Sequence, residues 1–151
     1  MDRLILTCLL FLLTASILSL PVAHAQTEKR ACKPSDIPHF LTTFNKALVA
    51  DSAGNFETLK EKSVFESDDY FVYQKKRNGE FSTYLINAEE YCESTYKDGT
   101  IHSVSFSVFL WDTPIERKFT LYLNGNKNVE ELKVSYPKGD ISISEIIFTN
   151  R

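Results

Sequence analysis

The sequence predicts an α+β domain: one or two N-terminal helices packed on a curved antiparallel β-meander of six or seven strands. Two periods in the chain predict it. Ile37, Phe40, Leu41, Phe44, Ala47 and Leu48 recur at spacings of three and four, which gathers them on one stripe of a helix. From Val64 onward apolar residues alternate with polar ones, the period of a half-buried strand. Helices segregated to one face of such a sheet define the class.

The helix opens at Ser35-Asp36-Ile37-Pro38, where a capping side chain precedes a proline whose missing N–H costs nothing in the first turn. It ends near Ala50, and Asp51 to Asn55 break it. A shorter helix follows to about Lys62, with Phe56 and Leu59 inward. Strands Tyr70 to Lys76 and Phe81 to Asn87 flank Asn78-Gly79, a residue pair that tolerates the positive φ of a two-residue turn. That turn sets Tyr73 against Tyr84. Tyr91 to Lys97 comes next, and a turn at Asp98-Gly99 sets Tyr91 against Phe106, Glu93 against Val104 and Thr95 against His102.

The long hairpin from Ser103 to Leu123 organises the sheet. Val104, Phe106, Val108 and Leu110 share one face, and a loop at Trp111 to Pro114 brings Arg117, Phe119 and Leu121 opposite Val108, Phe106 and Val104. A slip of one residue would turn the whole apolar set to water, so this register is well specified. Val129 to Tyr136 then places Leu132 opposite Phe119, and Ile141 to Thr149 closes the meander with Ile143 opposite Val134. The alternation changes phase near Glu145, the mark of a bulge or of a strand covered on both faces.

The first 25 residues read as a secretory signal peptide: a charged start at Asp2 and Arg3, an apolar run from Leu4 to Leu20, and Ala23-His24-Ala25 as the cleavage site. The rival is an uncleaved anchor, since the run approaches spanning length, but Thr14, Ser16, Ser19 and Pro21 dilute it. The expected mature chain, 26–151, is a single domain, periplasmic or secreted, without a stable membrane anchor. Asp2 and Arg3 cancel, so its net charge equals the −3 of the whole chain. No basic run appears, which argues against nucleic acid as a partner. Cys32 and Cys92 remain, and in an exported chain a disulfide between them is the economical reading. Free or redox-active thiols are the rival reading, weakened by the absence of C-x-x-C spacing.

Phe40 to Leu48, then Asp51, Phe56 and Leu59, then Glu66 to Asp69 before the first strand, resemble the opening of the NTF2-like (cystatin-like) superfamily. The resemblance implies a curved sheet wrapped around a long helix with a cone-shaped cavity, an enzyme pocket in some members and a binding surface in others. It carries over no catalytic residue, because no matching acid–base pair stands at a corresponding position.

The chemistry-bearing residues are few. His39 reads as solvated, and His102, alternating with Val104, points to the edge of the core face. Their separation offers no metal-ligand spacing, so neither a metal nor any other cofactor is expected. Serine occurs without a nucleophile elbow, and Asp68-Asp69, Asp98 and Glu130-Glu131 fall in turns or at strand ends as solvated carboxylates. Glu93 and Arg117 fall on the apolar face, where a charge is costly unless paired or aimed into a wet cavity. Tyr91, Glu93, His102, Arg117 and Tyr136 are therefore the candidate pocket, and an edge position or a structural ion pair is the plainer alternative. Trp111, alone at a hairpin tip, either folds back on its strand or presents a surface anchor. No catalytic constellation emerges. The leading expectation is a binding, inhibitor or accessory protein of the cell envelope, whose partner is a protein or a small polar ligand. The alternative is an NTF2-like enzyme or small-ligand carrier, and a purely structural role is the third reading.

Overall fold

The computed structural model describes residues 26–137 and 143–151, and their regular structure is almost entirely strand. The expected signal peptide, its rival anchor and Ile141 lie outside the described residues. In chain order the strands are β1 Thr27–Ala31, β2 Leu41–Phe44, β3 Lys46–Asp51, β4 Phe56–Leu59, β5 Ser63–Ser67 and β6 Phe71–Lys76. They continue with β7 Phe81–Ile86, β8 Cys92–Lys97, β9 Thr100–Leu110, β10 Glu116–Leu123, β11 Val129–Ser135 and β12 Ile143–Thr149. All pairings are antiparallel, in one sheet of order β2-β5-β6-β7-β9-β10-β11-β12-β3-β4, with β8 and β1 added along the other half of β9. The sheet is curled like a half-barrel. Its core lies on the concave side.

This overturns the α+β expectation of one or two helices on six or seven strands, and with it the NTF2-like resemblance. Among the described residues the only helical piece is a 3-10 turn at Pro34–Asp36. Where the amphipathic helix was expected, β2 and β3 run extended on either side of Asn45, and where the second helix was expected lie β4 and the approach to β5. The misreading has a local cause. Phe44 faces the core from β2 and Ala47 from β3, three residues apart, because the bend at Asn45 interrupts the alternation. One interruption of a period of two imitates a period near 3.6, and Thr42, Thr43 and Val49 were the β-branched warning.

Asn45 also shapes the curl. β2 heads one end of the pairing path and β3, one residue further along the chain, pairs with β12 near the other. The Asn150 carboxamide oxygen accepts from the Asn45 backbone N–H at 2.9 Å, while its Nδ2 donates to the Thr43 carbonyl at 2.8 Å. Inside this junction Phe44, Phe65 and Phe148 meet, with ring centroids 6.0, 6.4 and 4.8 Å apart. Such pairs add about 0.5–1.5 kcal/mol each beyond the area they bury. The core continues through Val72, Val104, Phe106, Val108, Phe119, Leu121 and Leu132, all without solvent exposure.

The β9–β10 hairpin pairs Val108 with Arg117, Phe106 with Phe119 and Val104 with Leu121, the register its alternation predicts. Elsewhere the registers differ from the expected ones. At the β6–β7 turn Gly79 takes φ +88° and its N–H donates to the Lys76 carbonyl, so the loop has three residues rather than two. That moves Tyr84 opposite Val72. Lys97 pairs with Thr100 as the Asp98-Gly99 turn requires, but a bulge then sets Thr95 against Ser103 and leaves His102 as the extra residue. Glu93 consequently faces Ser105 instead of Val104. Between β10 and β11 a shift next to Leu123 sets Phe119 against Val134, and β12 pairs Ile146 with Val134.

Cys32 and Cys92 form a disulfide, with Cα atoms 5.0 Å apart. The bond ties the chain just after β1 to the start of β8, and the Cys32 N–H donates to the Cys92 carbonyl at 3.1 Å. The β1 ladder, from Thr27 opposite Lys97 to Ala31 opposite Glu93, covers an otherwise open edge with charged side chains, a usual defence against edge pairing. Among the described residues no helix is long and apolar enough to cross a membrane.

Candidate functional site

The five candidate pocket residues do not converge. Glu93 lies on the convex side, where the Lys29 ammonium reaches its carboxylate at 3.1 Å. Tyr91 is on that side too; Lys118 donates to its hydroxyl at 2.9 Å and sits 4.3 Å from its ring centroid. His102 is exposed on its bulge, edge-on to Tyr122. Arg117 and Tyr136 do meet, on the concave side. The guanidinium carbon stands 4.3 Å from the Tyr136 ring centroid, and the Arg117 Nη1 donates to the Glu116 carbonyl at 2.8 Å. A charge on the apolar face is thus stabilised by an aromatic face and a backbone carbonyl.

Tyr136 lines a small cup at one end of the curl, with a volume of about 130 Å³. Ala47, Val49, Leu59, Val134, Ile146 and Phe148 give it apolar side chains, Gln74, Ser82, Tyr84 and Tyr136 give it neutral polar groups, and Glu61 and Lys76 line it as charges. The Tyr84 hydroxyl donates to the Gln74 carboxamide oxygen at 3.2 Å, and the carboxamide nitrogen reaches Ser63 at 3.5 Å. Burial pushes the phenols of Tyr84 and Tyr136 above their ordinary pKa, with the Arg117 charge opposing the shift in both. Both phenols are neutral donors at physiological pH.

At the mouth of the cup lies a wider open groove lined by Lys60, Glu61, Lys76, Arg77, Asn78 and Glu80. Lys76 reaches Glu80 at 3.0 Å and Glu61 at 3.9 Å. The hydrogen bond it donates to Glu80, then the charges of both carboxylates, hold its ammonium above the usual lysine pKa, against the effect of burial.

The second feature is on the convex side, across β6, β7 and the end of β9. Phe71, Tyr73, Lys75, Phe81 and Leu85 share this face, because Val72, Gln74 and Tyr84 point the other way. The rings form a chain: Phe81 to Tyr73 at 6.1 Å, Tyr73 to Phe71 at 5.9 Å, and Phe71 edge-on to Trp111 at 5.2 Å. Phe81 is 62% exposed and Trp111 55%. The Trp111 N–H donates to the Thr83 carbonyl at 2.8 Å, and the loop beyond it is fixed by Asp112 at φ 61° and by the Thr113 hydroxyl bonded to the Leu110 carbonyl. Trp111 is therefore held on a rigid turn. An apolar depression of about 440 Å³ lies beside it, between Leu85, Phe109 and Pro114.

The rim of this face carries both signs. Lys62, Lys75 and Arg77 lie at one end, paired across β5 and β6 through Val64 opposite Lys75. Asp68 and Glu66 lie at the other. Backbone N–H groups of Tyr70 and Phe71 at 2.8 and 2.7 Å hold the Asp68 carboxyl below its ordinary pKa, and the Tyr73 hydroxyl donates to it at 2.9 Å, fixing that ring.

Sequence reasoning isolated Trp111 and missed its aromatic neighbours. Lys75 was the available signal: it shares a face with Phe71 and Tyr73 and marks that face as wet. Among the described residues no group of three or more His, Cys, Asp or Glu is placed to hold a metal ion. No protein-family model matches the chain, and no curated protein or solved structure matches it.

Proposed function

We propose that this is an exported binding protein whose working surface is the convex aromatic face of β6, β7 and the end of β9, with Trp111 as its anchor. The observation that carries the reading is the continuous ring chain from Phe81 through the half-buried Tyr73 and Phe71 to Trp111, exposed to water at both ends. Large exposed apolar patches with polar rims mark interaction sites, and Trp, Tyr and Phe on rigid backbone are enriched at their centres. The occupant is a partner protein with an apolar centre, whose carboxylates meet Lys62, Lys75 and Arg77. Export is supported by the signal-like N-terminus together with the disulfide.

A photo-cross-linking residue in place of Phe81, used in the envelope fraction or medium of the producing cell, tests this. One dominant protein cross-linked at near-stoichiometric yield, and lost in Trp111→Ser, is the expected result. Cross-links only to a second copy of the chain, or capture unchanged in Trp111→Ser, would overturn it.

A further inference from the structure

We infer that the cup between β3, β6, β7 and β12 is a second, independent site that takes a small carboxylate with a short apolar or aromatic body. Three observations lead there. The walls are mixed, with six apolar side chains beside the charged Glu61 and Lys76, so what enters needs an apolar body with a polar end. The floor is polar: the Tyr84 hydroxyl is bonded to Gln74, and Tyr136 lines the same space. The volume of about 130 Å³ equals roughly four water molecules, which excludes long chains and polycyclic ligands.

The charge at the mouth selects the head group. Glu61 and Glu80 are both engaged by Lys76. Among the described residues Lys60 and Arg77 on the same groove form no ion pair, and Arg117 adds its charge against the Tyr136 ring. The field at the entrance is therefore positive although the chain as a whole carries −3. An apolar body in the cup leaves an attached carboxylate at the level of these cations. A cationic head group on the same body would meet repulsion there.

Isothermal titration and ¹H–¹⁵N spectra of the mature protein, with benzoate, benzyl alcohol and benzylamine as probes, test the proposal. Benzoate is expected to bind with a dissociation constant of about 1 mM or tighter and to shift Gln74 and Tyr84 resonances. Benzylamine is expected to bind at least about tenfold more weakly. The double variant Lys60→Glu/Arg77→Glu should weaken benzoate about tenfold and leave benzyl alcohol unchanged, since exposed charges of this kind are replaceable without unfolding. Trp111→Ser should leave all three affinities as they are, which separates this site from the convex face. Equal binding of benzoate and benzylamine, an unchanged benzoate affinity in the double variant, or no shift at Gln74 and Tyr84 would each overturn it.

Discussion

Replacing Cys32 and Cys92 together by Ala removes a cross-link that closes a separation of 60 residues. The enclosed segment runs from β2 through β7, so the bond constrains about half of the unfolded chain rather than a local turn. On the chain-entropy account a loop of this length contributes about 4 kcal/mol. The native state should lose little else: the β1–β8 ladder positions both residues, and the Cys32 N–H to Cys92 carbonyl bond survives the substitution. Urea unfolding followed by Trp111 fluorescence and far-ultraviolet circular dichroism measures the loss. With an m-value of about 2 kcal/mol per M, the midpoint should fall by about 2 M. The m-value should rise, because the unfolded chain without its cross-link exposes more surface. A fall of less than about 0.5 M at unchanged m-value would refute the reasoning, since it would mean the bond restrains only the β1 flank.

Phe119 touches both Tyr84 and Phe106, at 4.9 and 6.2 Å between centroids, so Phe119→Ala should cost about 3–5 kcal/mol, read in the same urea titration. Gly79→Ala meets no neighbouring atom but must adopt φ +88°, and a loss of about 1–2 kcal/mol with the native spectrum retained is expected. The buried phenols give an alkaline signature. Their folded pKa lies above the unfolded value of about 10, so their contribution is complete below that pH and is lost as pH rises through the folded pKa. Tyr84→Phe should flatten the decline of unfolding free energy above about pH 10, and tyrosinate absorbance should show one fewer late-ionising group. Glu93→Gln, by contrast, breaks only an exposed pair with Lys29 and should change stability by less than about 0.5 kcal/mol.

The fold was legible where one strand's pattern sufficed. The β9–β10 pairing followed from alternation alone, because Phe106 and Phe119 could be buried together in one register only. The bend at Asn45 was not legible, since a single break in a period of two is a helical spacing when read along one line. Of the concave cup, Tyr136 was within reach of the sequence, as was Arg117 stacked on it. Glu93 and His102 were misplaced by one bulge at β9, which reverses every side chain beyond it. The aromatic face escaped for a similar reason, because the three-residue loop at Gly79 changed which of Tyr73 and Tyr84 looks inward.

The sequence by itself determined the pairing of Cys32 with Cys92, the alternation of the long hairpin and the placement of Trp111 on a turn. These are properties of composition and of neighbouring residues. The tertiary structure decided the absence of helix from β2 to β4, the curl that closes around Phe44, Phe65 and Phe148, and the sharing of one face by Trp111, Phe71, Tyr73 and Phe81. Each of these depends on where a strand absorbs an extra residue. That is settled by the strand hydrogen-bonded beside it, which lies elsewhere in the chain.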